Sequence, residues 1–215
     1  MTLRLLILSD IHNQNITLKN ILKEIEEMEK FPDICLVAGD ITNFGTIQDM
    51  ENILNMIVAK IPNTFYVIGN CDPLIDTRDL ETPAVNAELG PYELDFFSII
   101  GFGTLKPLLN QKKLRKLNKA EKNVCLLTHV PPYGTDADLV SLNRHTGSKE
   151  LRDFIVKNKQ IFLSISGHIH ESPAISKLNN CNIVNPGPVT IGNFAIIEIQ
   201  KNLKVEGKIY NLQEI

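Results

Sequence analysis

The sequence predicts an α/β fold, a two-sheet β-sandwich flanked by helices, on three observations. Continuous apolar runs at 5–8, 34–38 and 65–68 alternate with segments whose apolar residues recur at i, i+3, i+4 and i+7. That alternation gives βαβ units and a parallel sheet with helices on its faces. After residue 172 the pattern changes to hairpin-like alternation, which a single parallel sheet does not produce.

Residues 5–8 read as a strand buried on both faces, followed by Ser9-Asp10-Ile11-His12-Asn13. Leu18, Ile21, Leu22, Ile25 and Met28 mark the first amphipathic helix. The second strand, 34–38, leads into Gly39-Asp40-Ile41-Thr42-Asn43. Ile47, Met50, Leu54, Ile57 and Val58 form the second helix, with Pro62 predicted to end it. The third strand, 65–68, leads into Gly69-Asn70-Cys71-Asp72-Pro73. Ligands of parallel sheets gather beyond the carboxyl ends of the strands, so Asp10, His12, Asp40 and Asn70 are expected to converge.

Residues 96–101 read as a strand after a turn at Gly90-Pro91. The basic segment 105–122 reads as a surface helix or loop, its cluster at 112–116 as a solvated face. Residues 124–127 form the next strand, which Thr128-His129-Val130-Pro131-Pro132 stops. The segment 133–146 is polar and without periodicity, and its length points to function. Ser148 is an N-cap for a helix burying Leu151, Phe154 and Ile155. The strand 161–165 then runs into Ser166-Gly167-His168-Ile169-His170, whose two histidines at i, i+2 in extended backbone share a face. In the last part, 174–178 and 181–184 flank an Asn179-Asn180 turn, and 194–199 precedes the alternating 203–209.

The 215 residues, 43% hydrophobic and 22% charged, fit one globular domain over 1–215. A net charge of −3 supplies no basic field for nucleic acid or an anionic membrane. The apolar start is too short for a signal peptide or a membrane span, and the expected compartment is cytoplasmic. Cys35, Cys71, Cys125 and Cys181 have no CxxC spacing, and no disulfide framework is expected.

Singly, these residues have plain readings: Asp10 as a helix N-cap, Asp40 and Asn70 as turn residues, His12 as a surface residue. Together they run Asp10-x-His12, Gly39-Asp40-x-x-Asn43, Gly69-Asn70-Cys71-Asp72, Thr128-His129 and Gly167-His168-x-His170. In that order they resemble the calcineurin-like metallophosphoesterase superfamily, from Asp10 to about Pro188, with the small bacterial and archaeal phosphoesterase branch most similar. The resemblance implies a four-layer αββα fold and a dinuclear metal centre. Asp10, His12 and His170 would hold one cation, Asn70, His129 and His168 the other, and Asp40 would bridge both. Asn43 and Asp72 would support them, and the 185–188 turn would line the site.

The implied activity is hydrolysis of a small phosphate ester by hydroxide formed at two divalent transition metal ions. Manganese is expected first, with Fe, Zn, Ni and Co chemically suitable. Many members carry histidine where this chain has Cys71, and a thiol with an ordinary pKa of about 8.5 is a poorer proton donor. Phosphodiesters or activated leaving groups are therefore expected over phosphomonoesters. His145 is the one histidine outside the ligand set and an alternative proton source, so the catalytic candidates are Asn70, Cys71 and His145. The rival reading is a non-catalytic metal-binding interaction scaffold of the same fold. Neither nucleic acid nor membrane is expected as partner, and self-association into a homo-oligomer is left open.

Overall fold

Leu5, Leu6, Ile7 and Leu8 are all fully buried in β1 (Thr2–Leu8), which a strand achieves only when both faces of its sheet are covered. The computed structural model describes residues 2–74, 80–103, 117 and 120–214. Apart from Leu117 and 120–122, the basic segment 105–122 lies outside the described residues.

β1 pairs in parallel with β2 (Ile34–Ala38), β2 with β3 (Thr64–Val67), and β3 with β4 (Val85–Asn86). On the other edge of β1, β13 (Asn193–Gln200) and β14 (Val205–Asn211) add antiparallel strands. The second sheet contains β5 (Tyr92–Glu93), β6 (Ser98–Phe102), β7 (Val124–Thr128), β10 (Ile161–Ile165), β11 (Ala174–Leu178) and β12 (Cys181–Asn185). Its order is β11-β12-β10-β7-β6-β5, with β6, β7, β10 and β12 parallel.

The layers follow from strand alternation. Leu5, Ile7, Leu36 and Ala38 point into the core between the sheets and meet Leu127, Leu163 and Ile165 of the second sheet. Leu6, Leu8, Cys35 and Val37 point the other way. There they pack on α1 (Asn15–Glu27) and α2 (Ile47–Val58) through Leu18, Ile21, Ile25, Ile53 and Leu54. The outer face of the second sheet is covered by α3 (Lys149–Lys157), which buries Leu151, Phe154 and Ile155. The result is the predicted αββα sandwich.

α2 opens with a reciprocal cap: Asp49 N donates to Thr46 Oγ1 at 3.2 Å, and Thr46 N to Asp49 Oδ2 at 2.8 Å. Ser148 caps α3 as expected, its Oγ accepting from Leu151 N at 3.0 Å. α2 closes at Val58 rather than at Pro62. Residues 59–61 form a terminal turn, with Ile61 N donating to Ile57 O at 2.8 Å, so Pro62 blocks continuation after the helix has already ended.

The segment 133–146 is not structureless. It carries a 3-10 turn at Asp136–Asp138 and a ribbon of β8 (Leu139–Val140) with β9 (Arg144–His145), elements too short to leave a periodic trace. Val205 and Ile209, with Leu203 of the preceding turn, pack on the core between the sheets as the alternation predicts. All four cysteines are free and buried. No helix of the described residues is long and apolar enough to cross a membrane.

Candidate metal centre

The expected residues sit at carboxyl ends of parallel strands: Asp10 and His12 after β1, Asp40 after β2, Asn70 after β3, His129 after β7, His168 and His170 after β10. Backbone hydrogen bonds stitch these loops together. Asp10 N donates to Gly39 O at 3.1 Å, His12 N to Asp40 O at 3.0 Å, and Gly167 N to His129 O at 2.9 Å. The sheets are tied by His168 N to Asp10 Oδ2 at 3.0 Å and by Val189 N to Ser9 O at 2.9 Å.

Asp10, His12, Asp40 and His168 all have positive φ, at 53°, 46°, 48° and 66°. The left-handed region costs an L residue roughly 1–2 kcal/mol, and neighbouring structure must enforce it. Two glycines permit the close packing that does so. A Cβ on Gly69 would lie 2.1 Å from Asp40 Oδ1, and one on Gly167 1.6 Å from Ser9 Oγ.

Two carboxylates form the floor of the site, both almost fully buried, and histidines surround them. His170 Nε2 lies 3.2 Å from Asp10 Oδ1, and His12 Nε2 3.9 Å from that same oxygen. Asp40 Oδ2 lies 3.7 Å from His12 Nε2 and 3.4 Å from His129 Nε2. Asp40 Oδ1 is held by Cys71 N at 2.8 Å, which leaves Oδ2 as the oxygen shared between the two sides. Donor atoms of Asp10, His12 and His170 converge within 4.8 Å, as do those of Asp40, His129 and His168.

Whether cations suit this site follows from His129. Its Nδ1 must donate to Ala38 O, 2.8 Å away, because a carbonyl oxygen only accepts. Nε2 of the neutral ring then presents a lone pair to Asn70 Oδ1 at 3.0 Å and Asp40 Oδ2 at 3.4 Å. Three electron-rich atoms so close require positive charge among them, from a proton or a cation. His12 Nδ1 is buried and without a hydrogen-bond partner among the described residues. Imidazole, carboxylate and amide oxygen are donors that first-row divalent ions accept, so the residues fit a pair of such ions.

The protonation preferences report the same field. Burial works to raise the Asp40 carboxyl, but hydrogen bonding and charge from His129, with the Cys71 N–H, hold it down at about 2. Burial disfavours charging His129, and Asp40 outweighs this and raises its proton affinity. The hydrogen bond to Asp10 raises His170, while burial and the neighbouring His129 lower His168. The Cys71 thiol is pushed up to about 12 by burial and by Asp40, and stays neutral. Its sulfur accepts from Asn70 Nδ2 at 3.3 Å, which turns Asn70 Oδ1 toward His129.

Asp72 ties the second and third loops, accepting from Thr42 N at 2.7 Å and Gly69 N at 2.8 Å. Asn43 joins the first loop through its N–H to Asn13 Oδ1 at 2.5 Å. In the 185–188 turn, Asn185 Oδ1 accepts from Gly187 N at 2.9 Å. His145 has its own partner outside the seven converging residues, its Nδ1 2.8 Å from Asp138 Oδ1. Sequence reasoning missed Ser9, whose buried hydroxyl donates to Asp10 Oδ2 at 2.6 Å. The one available signal was a hydroxyl residue directly before the first carboxylate.

Residues 3–172 match the family model described as calcineurin-like phosphoesterase. An uncharacterized protein of Methanocaldococcus jannaschii, MJ1162, is 31% identical over 198 residues, covering 84% of this chain and 88% of that protein. A probable glycerophosphodiester phosphodiesterase, GpdQ, of Arcobacter nitrofigilis is 28% identical over 178 residues. That match covers 75% of this chain and 64% of the relative. The crystal structure of TT1561 of Thermus thermophilus superposes with a TM-score of 0.71 at 16% identity, covering 97% of this chain and 99% of that one, a likeness of fold.

Proposed function

The chain belongs to the calcineurin-like phosphoesterase family, and from that premise we propose that it is a metal-dependent hydrolase of small phosphodiesters. The observation that carries this reading is the placement of Asp40 Oδ2 between His12 Nε2 and His129 Nε2, where one carboxylate oxygen reaches both halves of the site. Asp10, His12 and His170 would hold one divalent cation and Asn70, His129 and His168 the other, with Asp40 available to both groups. Two such cations supply hydroxide from water near neutral pH and neutralise phosphoryl oxygens, manganese being the expected ion.

The remaining work belongs to the chain. Asp10 and Asp40, anchored by Ser9 and Cys71 N, keep their free oxygens directed into the site. His129, its Nδ1 committed to Ala38, offers only Nε2. Half-exposed His170 stands at the rim, where the ester enters. Preference for diesters is supported by Cys71, which takes the place of the third-loop imidazole that would otherwise contact the phosphate or its leaving group. The similarity to a probable glycerophosphodiester phosphodiesterase points the same way.

The test compares bis-p-nitrophenyl phosphate with p-nitrophenyl phosphate, with and without added Mn²⁺, on protein whose metal content is measured by mass spectrometry. Faster metal-dependent cleavage of the diester is expected. Protein that carries two equivalents of metal and cleaves neither ester is a scaffold, and the hydrolase reading falls.

A further inference from the structure

Asp138 is fully buried in the segment between His129 and the His168-His170 turn, and its carboxylate is saturated. Oδ1 accepts from Thr135 N at 2.8 Å and Oδ2 from Gly147 N at 2.9 Å and Gly134 N at 3.1 Å. Oδ1 also meets His145 Nδ1 at 2.8 Å. Three backbone donors pin the carboxylate, so the imidazole must orient to it. A carboxylate accepts, so Nδ1 carries the proton and Nε2 is turned outward on a side chain about one-third exposed. The ring packs against Tyr133, centroids 5.6 Å apart, which limits rotation.

The ribbon bearing His145 is stitched to both loops of the second sheet that supply the metal centre. Ser148 N donates to Pro131 O at 2.8 Å and Tyr133 N to Ser148 O at 3.0 Å, two to four residues past His129. On the other side, Ser172 Oγ donates to the carbonyl of Leu139, the residue paired with His145 across the ribbon. Asn185 Nδ2 joins Ala137 O and Ile169 O at 3.3 and 2.9 Å. His145 therefore stands on a platform anchored beside both histidine loops.

We infer that Asp138 and His145 form a proton-donating dyad for the leaving group, with His145 Nε2 reaching the ester oxygen and Asp138 as its positioning residue. The inference rests on the phosphodiesterase reading and supplies an imidazole donor to a site whose third loop carries Cys71 in place of one. The donating form is the imidazolium, Nδ1–H on Asp138 and Nε2–H toward the ester. As the incoming water oxygen bonds to phosphorus and the P–OR bond breaks, the departing oxygen takes the Nε2 proton and leaves as ROH. His145 keeps its Nδ1 proton on Asp138, and a proton from the consumed water, relayed by solvent, restores Nε2–H. The sum is ester plus water giving monoester plus alcohol, with no other reactant.

A donor matters more as the leaving group becomes less acidic, so the test uses two diesters of one shape, bis-p-nitrophenyl phosphate and diphenyl phosphate, on metal-loaded protein. His145→Gln is expected to lower kcat on diphenyl phosphate by ~10² and on the nitrophenyl ester by at least about tenfold less than that, with KM moving little. Equal losses on both esters, or no loss, overturn the dyad. A second readout needs no turnover: long-range ¹⁵N–¹H spectra of metal-free protein, at a pH where the ring is neutral as it is after donating, are expected to place the remaining His145 proton on Nδ1, and to show mixed tautomers in Asp138→Asn. An Nε2–H tautomer in the unsubstituted protein overturns the assignment. If unsubstituted, metal-loaded protein cleaves neither diester, the phosphodiesterase reading itself fails and takes the dyad's role with it.

Discussion

Nδ1 of His129 donates to the carbonyl oxygen of Ala38, a 2.8 Å link from a loop of one sheet to the last residue of β2 in the other. It sets the tautomer and aims Nε2 at Asp40. His129→Ala is expected to reduce bound metal from two equivalents to about one after dialysis, and to lower diesterase turnover by more than the ~10–100-fold that outer partners cost. Mass spectrometry of the dialysed variant checks this, and retention of both equivalents would contradict the ligand assignment.

Ser9→Ala removes the 2.6 Å hydrogen bond to Asp10 Oδ2 while leaving every proposed ligand in place. Metal affinity should weaken ~10–100-fold, with folding stability lowered by only about 1 kcal/mol. A Mn²⁺ titration followed by calorimetry, alongside a melting curve, separates the two effects.

Gly69→Ala puts a methyl group 2.1 Å from Asp40 Oδ1 and 2.2 Å from Asp40 N. Backbone and a buried carboxylate cannot step aside cheaply, so a loss of about 1–3 kcal/mol is expected together with loss of metal. An unchanged melting temperature would show the close approach to be dispensable.

Acid stability of the metal-free protein should carry the signature of Asp40. Its carboxyl is held down at about 2, so the stabilisation is complete above the ordinary carboxylate value of about 4 and is lost as pH falls toward about 2. The loss is about 2 kcal/mol, and urea midpoints measured across that window should flatten in Asp40→Asn. His129 and His170 are raised, so their contribution is present below about 6.5 and fades as pH climbs; His168, lowered, has the opposite sign. Denaturant midpoints above pH 6 should therefore fall more slowly in His129→Ala.

Cys35, Cys71, Cys125 and Cys181 are buried, and burial pushes each thiol well up, Cys71 and Cys181 to about 12. A thiol-exchange reagent at pH 8 should label none of the four rapidly in the folded protein and all four in guanidinium, because only the thiolate attacks. Rapid modification of Cys71 in folded protein would place it in a more open setting than described.

Much of this architecture was readable in the sequence because buried strands write continuous apolar runs, and the residue just past each run has little freedom of position. Asp10, Asp40, Asn70, His129 and His168 each follow such a run, and the structure brings them together. Ser9 was not readable: its value depends on Asp10 turning into the left-handed region, which leaves no periodic trace. Asp138 escaped for a related reason, since its partners are backbone groups of an irregular loop and a histidine seven residues on. The end of α2 was misplaced because proline forbids continuation but does not specify where the preceding turn unwinds. For His145, residue type marked it as a candidate, and only the fold shows what holds it.

The left-handed backbone at His12 and His168 has a practical consequence. At both positions it is the main-chain N–H that binds the neighbouring loops, to Asp40 O and to Asp10, and glycine would keep that N–H while relieving the steric penalty. A laboratory search for heat-resistant variants in the absence of metal would thus be drawn toward glycine at two of the proposed metal-holding positions, enriching sturdier molecules with no chemistry. Any such selection on this protein needs an activity screen running beside it.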